Sequence, residues 1–192
     1  KAPLFPRDLN MQNNTSNLST DTSFTLAPLD VVIMAAGKGT RMKSRTPKVL
    51  QKLAGRALLH HVLDTARALQ ARQAVIITGH GATEVEATCA VDTGANNPLA
   101  LKCVRQEPQL GTGHAVQQAV PALADDGLVL ILSGDVPLTQ PATLYHLLAA
   151  SAGTRLALLT LDMPNPTGYG RVVRDVHGAV RGIVEHKDAS FE

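Results

Sequence analysis

Seven lysines and arginines (Lys38, Arg41, Lys43, Arg45, Lys48, Lys52 and Arg56) follow one another with no acid among them until Asp64. They come directly after an apolar run that decays into small residues, Val31-Val32-Ile33-Met34-Ala35-Ala36-Gly37-Lys38-Gly39-Thr40-Arg41-Met42. A strand that ends in Ala-Ala-Gly lets bare backbone approach a ligand, because no side chain stands in the way. Successive amides of such a loop point at phosphate oxygens. Arg41 can grip a phosphate with two parallel hydrogen bonds, whereas Lys48 acts as a point charge. The segment reads as a site for a highly charged anion, a nucleoside triphosphate.

A carboxylate supplies the second signal. Asp135 follows Leu128-Val129-Leu130-Ile131-Leu132-Ser133-Gly134 and precedes Val136-Pro137. At the rim of a core a lone charge is costly unless opposite charge compensates it. A triphosphate site supplies Mg²⁺, which takes one or two protein carboxylates besides phosphate oxygens. The alternative is a turn aspartate paired with an arginine or capping a backbone amide.

Two familiar glycine loops are excluded. A Walker A loop needs four residues between its first glycine and Gly-Lys-Ser/Thr, and here Gly37 and Gly39 are separated by one. A dinucleotide fingerprint needs a third glycine where Met42 stands, and an acid near the end of the second strand, where Thr78-Gly79-His80 occurs.

These groups need a scaffold. Val31–Met34, Val75–Thr78, Leu128–Leu132 and Leu156–Leu161, with a shorter run at Leu101–Val104, are near-continuous apolar stretches that suit strands buried on both faces of a parallel sheet. Between them, Leu58, Leu59, Val62, Leu63, Ala66 and Leu69 repeat with helical spacing, as do positions within His114–Ala124 and Pro141–Ala150. Pro141 suits a first helical turn. Alternation of this kind predicts a three-layer, Rossmann-like α/β sandwich with a mostly parallel sheet and ligands beyond the carboxyl ends of its strands. After the third strand come Gln106 and Gln109-Leu110-Gly111-Thr112-Gly113-His114; after the fourth comes Asp135.

The net charge is only +2, so the positive charge is local, which argues against general nucleic-acid binding. Trp is absent and aromatics are 3%, leaving little for base-stacking platforms. No apolar run approaches the roughly 18 residues of a membrane span. Cys89 and Cys103 share no metal-like or redox-like spacing and read as reduced packing residues of a cytosolic protein. His60 and His61 read as solvated, and His114 as a capping or packing residue. Residues 1–29 are rich in Asn, Ser, Thr, Gln and Pro without a hydrophobic period, and predict a disordered N-terminal extension ahead of one domain over 30–192.

A third set of residues lies late in the chain. Pro166-Thr167-Gly168-Tyr169-Gly170-Arg171-Val172-Val173 and Gly182-Ile183-Val184-Glu185-His186-Lys187-Asp188 read as two short strands around a turn at His177-Gly178. Glu185 on local pattern alone is an edge carboxylate. Together with Ala35-Ala36-Gly37-x-Gly39-Thr40-Arg41-Met42…Pro47-Lys48, Gln106…Gly111-Thr112-Gly113-His114-Ala115 and Gly134-Asp135-Val136-Pro137, these motifs strongly resemble the nucleotidyltransferase half of the bacterial bifunctional GlmU family. The members of that family join an N-acetylglucosamine-1-phosphate uridyltransferase to a glucosamine-1-phosphate N-acetyltransferase. The resemblance covers roughly residues 30–190.

The resemblance implies Mg²⁺-dependent uridylyl transfer from UTP to N-acetylglucosamine 1-phosphate, in the cytoplasm, for peptidoglycan and lipopolysaccharide precursors. It implies that the backbone of Met34, Ala35, Ala36 and Gly37, with Gln106, Gly111 and Thr112, holds the uracil. Arg41 and Lys48 would bind the triphosphate, Ser133 and Gly134 would line the nucleotide site, and Asp135 would ligate Mg²⁺. Gly170 and Glu185 would hold the amino sugar. Met34 stands where the family commonly has Leu, and Ser133 where a bulkier residue such as Tyr is usual. The family's second metal-binding Asn, a sugar-contacting Asn and the trimerising β-helix acetyltransferase domain fall beyond Glu192, so this chain is expected to be a truncated piece. Two other readings stay open: cytidylyl, guanylyl or thymidylyl transfer to another sugar phosphate, and a nucleotide-binding fragment without turnover.

Overall fold

The computed structural model describes residues 27–39, 42, 44–92 and 98–189, with the backbone alone at Lys187. Most of the expected N-terminal extension (1–26), together with Thr40, Arg41 and Lys43 of the basic loop, lies outside the described residues. At the end of the extension Leu29 already belongs to the first strand.

Four strands form one parallel sheet: β1 (Leu29–Met34), β4 (Gln73–Thr78), β5 (Ala100–Arg105) and β6 (Leu128–Ser133), in the order β5-β4-β1-β6. β1 is central and matches Val32 to Val75 on one side and to Ile131 on the other. Its position explains the composition. Val31, Val32 and Ile33 are fully buried, as are Val75, Ile76 and Ile77 of β4.

Alternation along these strands builds two cores. Val31, Ile33 and Ile76 join Leu59, Val62, Leu63 and Ala66 of α1 (Leu58–Ala68), Val85 and Cys89 of α2 (Ala82–Ala90), and Leu144 and Leu148 of α4 (Pro141–Ser151). Val32, Val75 and Ile77 face the other way, onto Ala115 and Ala119 of α3 (Thr112–Ala119). The expected sandwich is borne out, with three helices on one face and one on the other among the described residues. Pro141 takes the first turn of α4, as its fixed φ and missing N–H favour. α3 gives way after Ala119 to a 3-10 turn over Val120–Ala122, because Pro121 has no amide to continue the ladder.

The structure corrects one strand. Leu156–Leu161 forms no ladder among the described residues, and Leu156 and Leu161 are 88% and 79% exposed. The segment 155–159 instead runs past the open edge of β6, and the two line a cavity of about 540 Å³. An apolar run becomes a strand only where a neighbour satisfies its amides and carbonyls, and this one has none there.

Two smaller sheets complete the architecture. β2 (Lys52–Leu53) and β3 (Arg56–Ala57) form a tight hairpin whose turn residues, Ala54 and Gly55, both have positive φ. β7 (Arg171–Arg174) and β8 (Val180–Val184) are antiparallel around His177-Gly178, as expected. No helix among the described residues is long and apolar enough to cross a membrane.

Candidate functional site

The carboxyl ends of β1, β5 and β6 converge on one cavity of about 440 Å³. It is lined by Met34, Ala35, Ala36, Gly37 and Gly39 after β1, by Gln106, Gln109, Gly111, Thr112 and Ala115 between β5 and α3, by Ser133 and Asp135 after β6, and by Lys48 and Val49. Sequence order separates these groups widely. A parallel sheet brings them together, because every strand points the same way and releases its loop on the same edge.

Backbone bonds fix the loop after β1. The amide of Ala35 donates to the carbonyl of Ile77 at 2.9 Å, and that of His80 to the carbonyl of Ala36 at 3.2 Å. The side chain of Gln109 adds a bond from the other side, its Nε2 donating to the same Ala36 carbonyl at 3.0 Å. Gly79 makes this crossing possible. A Cβ there would collide with Gln109 Nε2 and lie 2.9 Å from Ala36 Cβ. Gly37 stays exposed, with open space where a side chain would stand.

Across the cavity, the amide of Gln106 donates to Thr78 at 2.8 Å, which continues the ladder beyond β5. The residue is 5% exposed. The Nε2 donates to the Gly111 carbonyl at 2.9 Å and lies 3.2 Å from His114 Nδ1. His114 is therefore tied to the loop's polar network through Gln106 and, at 3.2 Å, Gln118.

Lys48 opens a short 3-10 turn (Lys48–Leu50) and forms an ion pair with Asp135. The turn is anchored by Val49, which is buried beside the Gly134 backbone. Gly134 itself donates to the Met34 carbonyl at 2.9 Å, and a Cβ there would meet Val49 Cγ1 at 3.0 Å. It packs beneath the cavity rather than lining it. Gly39, with φ +56°, backs onto Lys48: a Cβ would lie 3.0 Å from Lys48 Cβ. The glycine loop, the lysine and the aspartate thus form one tightly fitted unit.

The structure brings together Met34, Ala35, Ala36, Gly37, Lys48, Gln106, Gly111, Thr112, Ser133 and Asp135. Gly170 and Glu185 do not line this cavity. They flank the β7–β8 hairpin, a separate sheet. Arg41 lies outside the described residues. Sequence reasoning placed Gln109 after the third strand but gave it no role, and it missed Val49. Gln109 carried a readable signal, a long amide in a strand-end loop, but nothing local named Ala36 as its partner.

The donor set also bears on a metal. Asp135 supplies a carboxylate and Ser133 a hydroxyl, and no group of three or more His, Cys, Asp or Glu suited to a metal occurs among the described residues. This suits a hard cation that arrives with phosphate and water oxygens of its own, as Mg²⁺ does, and not a closed protein cage.

Parallel strands and a polar cleft at their carboxyl ends place the chain among the α/β nucleotide-binding folds, and comparison with known proteins narrows that class to nucleotidyltransferases. The chain belongs to the MobA-like NTP transferase domain family, which it matches over residues 31–186. It is 70% identical over 165 residues to the bifunctional protein GlmU of Acidovorax ebreus (strain TPSY), covering 86% of this chain. It spans only 35% of the length of that relative. The family resemblance read from the motifs is borne out. The fold is shared with HddC from Yersinia pseudotuberculosis (TM-score 0.60, 20% identity, 81% of this chain and 68% of that one). It is shared too with Rv0371c from Mycobacterium tuberculosis H37Rv, solved in complex with manganese (TM-score 0.50, 23% identity, 66% and 61%).

Proposed function

We propose that this cavity binds UTP with Mg²⁺ and that the chain carries the uridylyl-transfer site for N-acetylglucosamine 1-phosphate. One observation supports this reading above the others: a bare-backbone loop, a lysine and a single acid share one cavity at the carboxyl edge of a parallel sheet. The match to the MobA-like NTP transferase domain family supports nucleotidyl transfer at this site, and the resemblance of the motifs to the GlmU family implies the uridylyl chemistry.

In the proposed reaction a phosphate oxygen of the sugar 1-phosphate attacks the α-phosphorus of UTP in line. The new oxygen–phosphorus bond forms as the bond to the bridging oxygen breaks, and pyrophosphate leaves with the electron pair. The attacking phosphate is already anionic, so no protein nucleophile or general base is needed. Catalysis rests on positioning and on neutralising charge.

Met34–Gly37, Gln106, Gly111 and Thr112 would hold the uracil through backbone and amide groups. Lys48 and Arg41 would bind the triphosphate, and Asp135 would hold Mg²⁺. Mg²⁺, when bound, would withdraw negative charge from the triphosphate. Lys48, paired with Asp135 here, would turn to phosphate oxygens, and the Asp135 carboxylate would be left to hold the metal. Gly170 and Glu185 would meet the amino sugar.

A second reading, nucleotide binding without turnover, is favoured by the position of Gly170 and Glu185 outside the cavity. Mixing the chain with UTP, Mg²⁺ and N-acetylglucosamine 1-phosphate separates the two. Release of pyrophosphate, with UTP preferred over CTP, GTP and dTTP, is the expected result. Binding of UTP without release would support the second reading, and no binding at all would remove both.

A further inference from the structure

The chain contains two cysteines, Cys89 and Cys103, and no part of the proposed reaction uses them. Their sequence spacing suggests nothing, but the fold brings them together. Alternation along β5 turns Leu101, Cys103 and Arg105 toward α2, while Val104 packs on the α3 side. Glu86, Cys89 and Ala90, at i, i+3 and i+4, bring the matching face of α2 down onto them. These six residues line one surface pocket of about 460 Å³. Within it the two thiols face each other from the helix and the strand.

The two sulfurs are not equivalent. Cys103 sits on the edge strand of the sheet and is exposed, whereas Cys89 is buried in the helix–sheet core. The facing Cys89 thiol lowers the Cys103 thiol below its ordinary value, although burial opposes this. Cys103 and burial both push the Cys89 thiol up. The charged neighbours, Glu86 and Arg105, are occupied with each other: Arg105 Nε and Nη2 donate to the two Glu86 oxygens at 2.8 and 2.7 Å. An accessible thiol beside a buried one is the arrangement of an attacking and a resolving cysteine.

We propose that Cys89 and Cys103 form a reversible intramolecular disulfide on exposure to a peroxide, clipping α2 to the edge strand β5. The Cys103 thiolate attacks one peroxide oxygen and the O–O bond breaks. That oxygen is transferred to sulfur with its hydrogen, the other peroxide oxygen leaves as hydroxide with the O–O bonding pair, and Cys103 becomes a sulfenic acid. The Cys89 sulfur then attacks Cys103 Sγ, the S–O bond breaks, and the departing hydroxide takes the Cys89 proton and leaves as water. Two thiols are oxidised by two electrons in total and one peroxide is reduced. A dithiol reverses the step by exchange. This modification site is independent of the nucleotide chemistry.

The test treats the 192-residue chain with stoichiometric hydrogen peroxide, alkylates any remaining thiol and measures the intact mass. Trypsin cuts after Lys102, so the two cysteines fall on separate peptides. The expected product is a monomer lighter by two hydrogens, with its Cys89 and Cys103 peptides joined, and restored by dithiothreitol. Cys89→Ser should leave Cys103 as a sulfenic acid trappable by dimedone. Cys103→Ser should leave Cys89 alkylatable after the same exposure. Oxygen adducts on Cys103 beside a free Cys89 in the wild-type chain, or bridges only between chains, would overturn the proposal. The wild-type result decides even where a variant fails to fold.

Discussion

Lys48 and Asp135 meet in an ion pair in the cavity at the carboxyl edge of the sheet, although one belongs to the basic run and the other follows a strand far along the chain. Their side chains are 43% and 26% exposed, so the pair contributes little to folding. Surface pairs of this kind are worth roughly 0–1 kcal/mol. Its significance is electrostatic. Each group neutralises the other, and under the proposed function a metal-bound triphosphate would offer each a better partner of opposite sign.

Asp135→Asn follows from that exchange. With its carboxylate gone, Lys48 is released to phosphate, so binding of metal-free UTP should hold or tighten. Mg²⁺ should no longer strengthen binding, and Mg²⁺-dependent turnover should be lost. Calorimetric titration with and without Mg²⁺ reads both effects. Stability should change by less than about 1 kcal/mol. Unaltered enhancement by Mg²⁺ would remove Asp135 from the metal's partners.

Gly39 and Gly55 form a matched pair. Both have positive φ, +56° and +82°, where alanine costs about 1–2 kcal/mol. Only Gly39 backs onto Lys48, and nothing lies within 4 Å of a Cβ at Gly55. Gly39→Ala and Gly55→Ala should therefore lower the urea midpoint alike, while UTP affinity falls in Gly39→Ala alone. Equal affinities in the two variants would show that the close approach to Lys48 is irrelevant.

Gln109→Ala should loosen the loop after β1 by removing the bond to the Ala36 carbonyl. A neutral hydrogen bond is worth about 1 kcal/mol, so UTP affinity should fall about fivefold with little change in melting temperature. An affinity within the error of the wild type would make that bond incidental.

At the opposite end of the sheet, Asp30 is 1% exposed and is held by Arg72 Nε and Nη2 at 2.9 Å each, by Gln73 Nε2 at 3.1 Å and, more weakly, by the Ala124 amide at 3.4 Å. Arg72 also reaches Asp126 at 2.8 Å. Removing either partner has unequal consequences. Arg72→Ala strands a buried carboxylate, whereas Asp30→Asn leaves an arginine with a second acid. Arg72→Ala should lower the denaturation midpoint further, and the reverse order would contradict the burial argument.

Acid should weaken the fold through specific carboxylates. Burial alone would raise Asp30 and Asp64, but hydrogen bonds and charge from Arg72 at Asp30, and from Arg56 and Arg67 at Asp64, bring both below the usual range. The Arg105 hydrogen bonds hold Glu86 at about 2. Groups lowered in the folded state stabilise it fully above their unfolded values, near ~4, and lose that contribution as pH falls through the folded ones. Urea midpoints should decline from about pH 4.5 toward pH 2, and Glu86→Gln should flatten the lower part of that slope.

Much of this was legible in the residues, for a physical reason. β1 and β4 are covered on both faces, so their continuous apolar runs mark them directly. α1 shows its stripe because one side packs and the other is wet. α2 escaped notice because it buries only Val85 and Cys89, too few to make a period. Leu156–Leu161 misled because hydrophobicity is needed for a buried strand but does not supply its hydrogen-bonded neighbour.

By itself the sequence determined the chemistry on offer: a bare glycine loop, a run of cations, an acid after a strand, and the alternation that builds a parallel sheet. Local composition suffices for these, because backbone freedom, charge and periodicity are properties of neighbouring residues. Only the tertiary structure decided who meets whom. It paired Lys48 with Asp135, passed the Gln109 amide over Gly79 to Ala36, set Cys89 against Cys103, and left Gly170 and Glu185 on their own hairpin. Such contacts depend on strand order and on which face each element presents, and neither is written in any short stretch of chain.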